Sequence, residues 1–152
     1  MTELRIRIDE AEDLARIQSW AAEQDDATYE VVTEEGDVGL AIEPVTAVLI
    51  AAGVAALAGF IRDWIISSKG GTVVDLTPDA KDKIYRDKAL NYGWLMVISA
   101  DGKVEVNVKD APKDATERLI EAVISGTFKS VADIAKLAKD ALGADKVKPT
   151  PA

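Results

Sequence analysis

The longest apolar stretch of the chain covers residues 44–61, which carry no charged side chain. Arg62 and Asp63 interrupt the stretch, and apolar residues continue it to position 66. Alanine and leucine, which are frequent here, favour helix, and Pro44 suits a first helical position because its missing N–H has no helical partner there. The pattern therefore predicts one long apolar helix over residues 44–66.

Small residues recur along this predicted helix at helical spacing. Ala51, Ala55 and Gly59 lie at i, i+4 and i+8, and Ala56 belongs to the adjacent row. Such a stripe lets a second backbone approach closely. The predicted residues for helix packing or self-association are therefore Ala51, Ala55, Ala56, Gly59 and Trp64.

The length of the apolar stretch leaves two interpretations open. A bilayer-spanning helix needs about 17–25 apolar residues, and residues 45–61 reach the lower end of that range. The flanking sequence, however, has the patterns of an α/β domain, and alanine and glycine contribute little to membrane insertion. The pattern favours a central or oligomer-facing helix of a soluble protein, with membrane insertion as the alternative.

The elements around this helix follow from hydrophobic periodicity. The predicted strands are residues 4–8, 29–33, 72–76, 92–99 and 103–108, and the other predicted helices are residues 9–24, 112–124 and 128–142. The short strand–helix–strand opening predicts parallel or split pairing of the first two strands around the first helix.

The clearest local signal is Asp101-Gly102 between two strand-like runs, which predicts a β-hairpin. Residues 103–108 alternate between apolar and polar positions, whereas residues 92–99 are apolar on both faces. The second pattern is typical of a central strand. We therefore expect the long helix to cover one side of residues 92–99.

Three segments lack a regular pattern. Residues 34–39 are predicted to form a loop, and residues 78–91, which are mixed and polar, a loop with a short helix. Residues 144–152 contain two prolines and are predicted to form a flexible tail. The predicted fold is a single α+β domain over residues 1–143, with a mixed sheet of about five strands in the order β-α-β-α-β-β-β-α-α, packed on the long central apolar helix.

Composition narrows the possible chemistry. The 152 residues include no cysteine and no histidine, which removes thiolate chemistry, the commonest general base and the commonest neutral metal ligand. The adjacent carboxylates Asp25-Asp26 and Glu34-Glu35 lack the alternating oxygen ligands of a calcium loop. The Ser, Lys and Gly residues at 67–71 lack the order of a phosphate-binding loop. We therefore predict no catalytic, cofactor-binding or metal-binding residues and a protein that is not an enzyme, although a carboxylate-dependent enzyme is a third possibility.

The net charge of −9 is unevenly distributed. Residues 1–43 hold 13 acidic and 3 basic side chains, net −10, whereas residues 44–152 hold 14 acidic and 15 basic side chains, net +1. The acidic segment argues against nucleic acid as a partner. It is suited to a basic protein surface or forms a solvated face. The first residues lack the pattern of a signal peptide, so cytoplasmic residence is expected, with membrane association through residues 44–66 as the alternative.

The sequence resembles the effector-associated constant component family of bacterial conflict systems over residues 4–124. The resemblance is carried by Leu14, Ile17 and Trp20 on the first helix, Gly39-Leu40, Phe60-Ile61 with Trp64-Ile65, and Asp101-Gly102. It implies a non-catalytic partner of effector proteins such as peptidase-like or toxin-like domains. The chain departs from the family pattern by about fifteen additional residues between Thr77 and Tyr92 and by the helix over 128–142.

These observations lead to two functional hypotheses. The first is a non-enzymatic interaction module of a bacterial effector or defence system, which self-associates through residues 44–66 and binds an effector protein. The alternative is a membrane-inserting or pore-forming protein that uses the same residues.

Overall fold

The computed structural model describes residues 2–8, 11–24, 27–32, 45–51, 53–67, 70–77, 83–125 and 130–151. These residues form eight strands, four α-helices and a short 3-10 helix, Ala144–Lys146. The strands are β1 (Thr2–Ile8), β2 (Ala27–Val32), β3 (Val45–Ala51), β4 (Gly71–Asp75), β5 (Ile84–Asp87), β6 (Trp94–Ser99), β7 (Gly102–Asn107) and β8 (Val147–Pro151). The helices are α1 (Ala11–Glu23), α2 (Val54–Ser67), α3 (Lys113–Ile124) and α4 (Val131–Leu142).

The eight strands form one mixed sheet in the order β2-β3-β1-β5-β4-β6-β7-β8. β3 lies between β1 and β2 and is antiparallel to both, so β1 and β2 are parallel with a strand between them. The split form of the predicted opening is therefore confirmed. A single residue pair, Ile6 with Ile84, joins β1 to β5 in parallel and connects the two halves of the sheet. The class of mixed α and β structure is confirmed, whereas the prediction of about five strands is wrong.

The predicted long helix over residues 44–66 is also wrong. The apolar stretch divides near Gly53 into the strand β3 and the helix α2. The first part is rich in β-branched residues, which favour strands, and the second part is rich in alanine and leucine, which favour helix. β3 is paired on both edges, and Thr46, Ala47, Val48 and Leu49 are all buried. A strand that is buried on both faces shows no polar alternation, so its sequence reads as a continuous apolar run.

Two further segments are more regular than their sequence indicates. Within residues 78–91 the structure has the four-residue strand β5, in the middle of the sheet. The predicted tail over residues 144–152 instead contains the 3-10 helix and β8, which pairs with β7 along its length. Prolines are compatible with β8 because it is an edge strand, and Val147 anchors it in the core. The predicted loop over residues 34–39 lies outside the described residues, as does Pro44.

The helices cover one face of the sheet. Alternate residues of each strand point to opposite faces, and Leu4, Ile6 and Ile8 of β1 share one buried cluster with residues from all four helices. The same cluster includes Leu95 and Val97 of the interior strand β6. The position of residues 94–99 inside the sheet confirms the prediction of a central strand. None of the described helices covers the opposite face.

The hairpin between β6 and β7 and the start of α4 both follow from local sequence. The hairpin between β6 and β7 is closed by the pair Ser99 and Gly102, as the Asp-Gly signal predicts. Gly102 has a φ of 140°, which favours glycine. The α4 helix begins after Ser130, whose hydroxyl accepts a hydrogen bond from the amide of Asp133 at 3.1 Å.

Candidate interaction surface

The five residues predicted for helix packing do not form one helix face. Ala51 is at the end of β3 and is buried, whereas Ala55, Ala56, Gly59 and Trp64 belong to α2. Because the chain leaves the strand and enters the helix between residues 51 and 54, the i, i+4, i+8 spacing has no structural meaning across this boundary.

Gly53 and Gly59 do not provide a close approach of two backbones. A Cβ atom added at Gly59 would meet Oε1 of Glu117 on α3 at 3.7 Å, which is an ordinary contact, and one added at Gly53 would meet no atom within 4 Å. α2 packs against α3 of the same chain, and Leu57 and Ile61 lie in the common core. The apolar surface of α2 is therefore largely used within the molecule.

Trp64 is 1% exposed and belongs to a polar cluster in the helix-covered core. The guanidinium of Arg86 on β5 lies 4.2 Å from the centre of its indole ring. Arg86 donates two hydrogen bonds to the carboxylate of Asp13 on α1, at 2.9 Å and 2.6 Å, and a third to the carbonyl oxygen of Trp64 at 3.3 Å. Bidentate geometry and ring stacking are the arrangements in which arginine is best accommodated below the surface.

This cluster joins α1, β5 and α2, and it has the features of a structural contact. The side chains of Arg86 and Asp13 are 13% and 4% exposed, and the two charges neutralise each other. The pair of Arg86 and Asp13 was not predicted from the sequence, although the sequence contains one signal for it. Asp13 lies four residues before Ile17 and seven before Trp20, which is on the apolar face of α1. A carboxylate at such a position requires a buried partner.

The face of the sheet that no described helix covers has an apolar centre on β4, β5 and β6, whereas Thr46 and Val48 of β3 on the same face are buried. We refer to it below as the uncovered face. The cross-strand pairs of Val73 with Tyr85 and with Met96 place these three side chains next to one another on that face. Trp94 and Ile98 share the face because they alternate with the buried Leu95 and Val97. We call Val73, Tyr85, Trp94, Met96 and Ile98 the open-face patch. Four of these side chains are half-buried, and Val73 is buried.

Cationic side chains border the open-face patch on two sides. The guanidinium of Arg7 on β1 lies 5.0 Å from the ring centre of Tyr85, and the ammonium of Lys148 on β8 lies 5.3 Å from the ring centre of Trp94. Both distances allow cation–π attraction. Burial raises the pKa of Tyr85 above its ordinary value of 10.0, and the carboxylate of Asp75 raises it further, whereas Arg7 lowers it. Tyr85 is therefore neutral near pH 7.

The uncovered face is almost neutral, unlike the whole chain. Its charged strand residues are the cationic Arg5, Arg7, Lys103 and Lys148 and the anionic Glu3, Glu30, Asp75, Asp87 and Glu105. Four positive and five negative groups give a net charge of −1, compared with −9 for the chain. The described strand residues of this face therefore carry little net charge.

Among the described residues, no group of three or more carboxylates is arranged to hold a metal ion. The adjacent pairs Asp25-Asp26 and Glu34-Glu35 lie outside the described residues. The hydroxyl of Ser99 donates to the carboxylate of Asp101 at 2.6 Å. This carboxylate also accepts from the amide of Val131 at 2.9 Å, which explains the contact as a link between the hairpin and the start of α4.

The described part of the chain contains no helix of sufficient length and apolar character to cross a bilayer. The predicted membrane-inserting helix over residues 44–66 does not form, because residues 45–51 of this range belong to the strand β3.

No family model, no curated protein and no solved structure matches this chain significantly.

Proposed function

We propose that this protein is a non-enzymatic interaction module that self-associates through the open-face patch. The observation that carries the proposal is the apolar centre of a sheet face that no described element covers. Open faces of sheets in monomeric proteins usually carry polar side chains. Contiguous apolar patches at a protein surface often mark interaction sites.

Charge favours a second copy of the chain as the occupant. Two complete molecules carry −9 each and repel, but the described strand residues of each open face carry only −1 and include both signs. A two-fold axis through the patch would place each cationic border opposite mixed charges of the other copy. Packing of two sheets face to face is a common arrangement, with an apolar layer about 10 Å thick between them.

The open-face patch takes the place of residues 44–66 as the proposed surface for self-association. β3 and α2 pack mainly within the chain, and so the apolar stretch is not free to join two copies. The biological setting remains the one implied by the family resemblance. In that setting the protein is an accessory component of a bacterial effector or defence system, and an effector protein is its second partner.

Sedimentation velocity of a charged double variant tests the proposal. Met96→Lys combined with Ile98→Lys introduces two ammonium groups into the patch, which two copies cannot bury together without a large desolvation penalty. The wild-type chain is expected to sediment as a dimer at high micromolar concentration, and the variant as a monomer.

A matched control carries the same added charge on the other side of the molecule. Val31→Lys with Ala132→Lys changes two exposed residues on the helix-covered side, and this variant is expected to remain a dimer. Circular dichroism verifies that each variant is folded. A monomeric wild-type chain, or loss of the dimer in both variants, contradicts the proposal.

A further inference from the structure

The strand β8 lies at one end of the described sheet, where β7 is the strand that pairs with it. The outer edge of such a strand usually presents N–H and C=O groups that can pair with the backbone of another chain. Whether β8 can extend the sheet therefore depends on which of its residues direct their N–H groups outward.

The hydrogen bonds of β7 fix this direction. The amide of Val108, which directly follows β7, donates to the carbonyl oxygen of Gly93 at 2.8 Å, on the side of β6. Backbone groups of successive residues in a strand point to opposite edges. The amides of Lys103 and Glu105 therefore point away from β6 and toward β8.

The residues of β8 that lie opposite these two are Thr150 and Lys148. In an antiparallel pair, the residues of a hydrogen-bonded position exchange both of their backbone bonds. Thr150 and Lys148 consequently face β7. The backbone nitrogens of Val147, Pro149 and Pro151 point to the outer edge of the sheet.

This outer edge has no free N–H donor over residues 147–151. The amide of Val147 donates to the carbonyl oxygen of Ala144 in the 3-10 helix. Pro149 and Pro151 carry no N–H group. A strand that approaches this edge meets acceptors without donors, whereas a β ladder needs both in alternation.

We infer that β8 caps the sheet, and that its two prolines prevent a second copy of this chain from pairing with it edge to edge. In two copies related by a two-fold axis, the β8 strands would run antiparallel, and each would offer the other only carbonyl oxygens. A dimer formed through the open-face patch then cannot grow through this edge. That consequence rests on the proposed function, whereas the capping does not.

Sedimentation velocity of Pro149→Ala/Pro151→Ala tests the inference. The substitutions restore two outward N–H groups, and alanine is itself unfavourable in strands, so its side chain does not promote pairing. At high micromolar concentration the variant is expected to reach about twice the mass of the wild-type species or more, by two-fold pairing of β8 strands. The same gain is expected in the Met96→Lys/Ile98→Lys background, which separates it from association through the open-face patch.

The matched control is Pro112→Ala/Thr150→Ala. It removes a proline before α3 and alters a β8 residue whose amide faces β7, so it adds no donor to the outer edge. This control should keep the wild-type mass. Amide hydrogen exchange at Lys103 and Glu105 should remain slow in the test variant, because β8 stays paired with β7.

Three results would overturn the inference. The first is an unchanged mass of the proline variant, and the second is an equal gain in the control. The third is fast exchange of the two β7 amides in the proline variant, because the prolines would then hold β8 on the sheet rather than close its edge.

Discussion

The two faces of the sheet are built from the same strands but differ in the side chains they present. On the helix-covered face, Leu95 and Val97 of β6 are completely buried, and the neighbouring strands add further aliphatic residues. On the other face, the same strand presents Trp94, Met96 and Ile98, which are all half-buried and which none of the described helices covers. β6 thus contributes to the buried core on one side and to a partly exposed apolar surface on the other.

This difference separates residues that hold the fold together from residues that are available for binding. Polar groups on the helix-covered face are costly unless they are paired, and Arg86 is paired with Asp13. On the uncovered face, charged groups lie at the border of the apolar patch, where water and aromatic rings stabilise them. Substitutions should therefore act through stability on the first face and through association on the second.

The largest effect is expected for Arg86→Ala on the helix-covered face. The substitution leaves the carboxylate of Asp13 buried without its partner, and loss of one member of such a pair costs about 3–5 kcal/mol. Urea denaturation measures this loss in the free energy of unfolding. The double variant Asp13→Leu/Arg86→Met fills the same space without charge and should be more stable than Arg86→Ala. If Arg86→Ala unfolds like the wild-type chain, the pair does not have the structural role assigned to it.

The next largest difference in stability is expected between substitutions of two neighbouring residues of β6. Leu95→Ala removes a fully buried side chain and should cost about 2–5 kcal/mol. Met96→Ala removes a half-buried one and should cost about 1 kcal/mol or less at low protein concentration. The cost of Met96→Ala should increase with protein concentration, because the dimer stabilises only chains that can form it. A cost that is independent of concentration would show that Met96 takes no part in association.

The smallest effect on stability is expected for Asp101, which links the β6–β7 hairpin to the start of α4. Hydrogen bonds from the Ser99 hydroxyl and the Val131 amide lower the pKa of the Asp101 carboxyl from its ordinary value of 3.8. Because the pKa is lowered in the folded state, the contribution to stability is present above the unfolded-state pKa and is lost as the pH falls through the folded-state value.

The corresponding measurement compares the urea midpoints of wild type and Asp101→Ala. The variant should have the lower midpoint at pH 7, and the two midpoints should converge as the pH falls below about 4, near the unfolded pKa of aspartate. A difference that is equally large at low pH would mean that the carboxylate charge does not contribute.

Several elements could be predicted from the sequence because their signals are local. The alternation over residues 4–8, the Asp101-Gly102 hairpin and the apolar faces of α3 and α4 all depend on neighbours a few residues away. β3, β5 and β8 could not be predicted in this way. β3 is buried on both faces, β5 carries a charged residue whose partner is 73 positions away, and β8 contains prolines that only an edge position allows.

The candidate surface was even less accessible to sequence analysis. The open-face patch combines residues of β4, β5 and β6, and only the register of the sheet places Tyr85 beside Val73.

Cross-linking of single-cysteine variants tests self-association through the uncovered face most directly. The natural chain has no cysteine, so any covalent dimer must form at the introduced thiol. Met96→Cys places the thiol in the open-face patch, and Ala132→Cys places it on the exposed side of α4. Treatment with a short bismaleimide at micromolar protein should give a covalent dimer of the Met96→Cys chain and little of the Ala132→Cys chain. Equal cross-linking of the two chains, or none of Met96→Cys, would contradict the account.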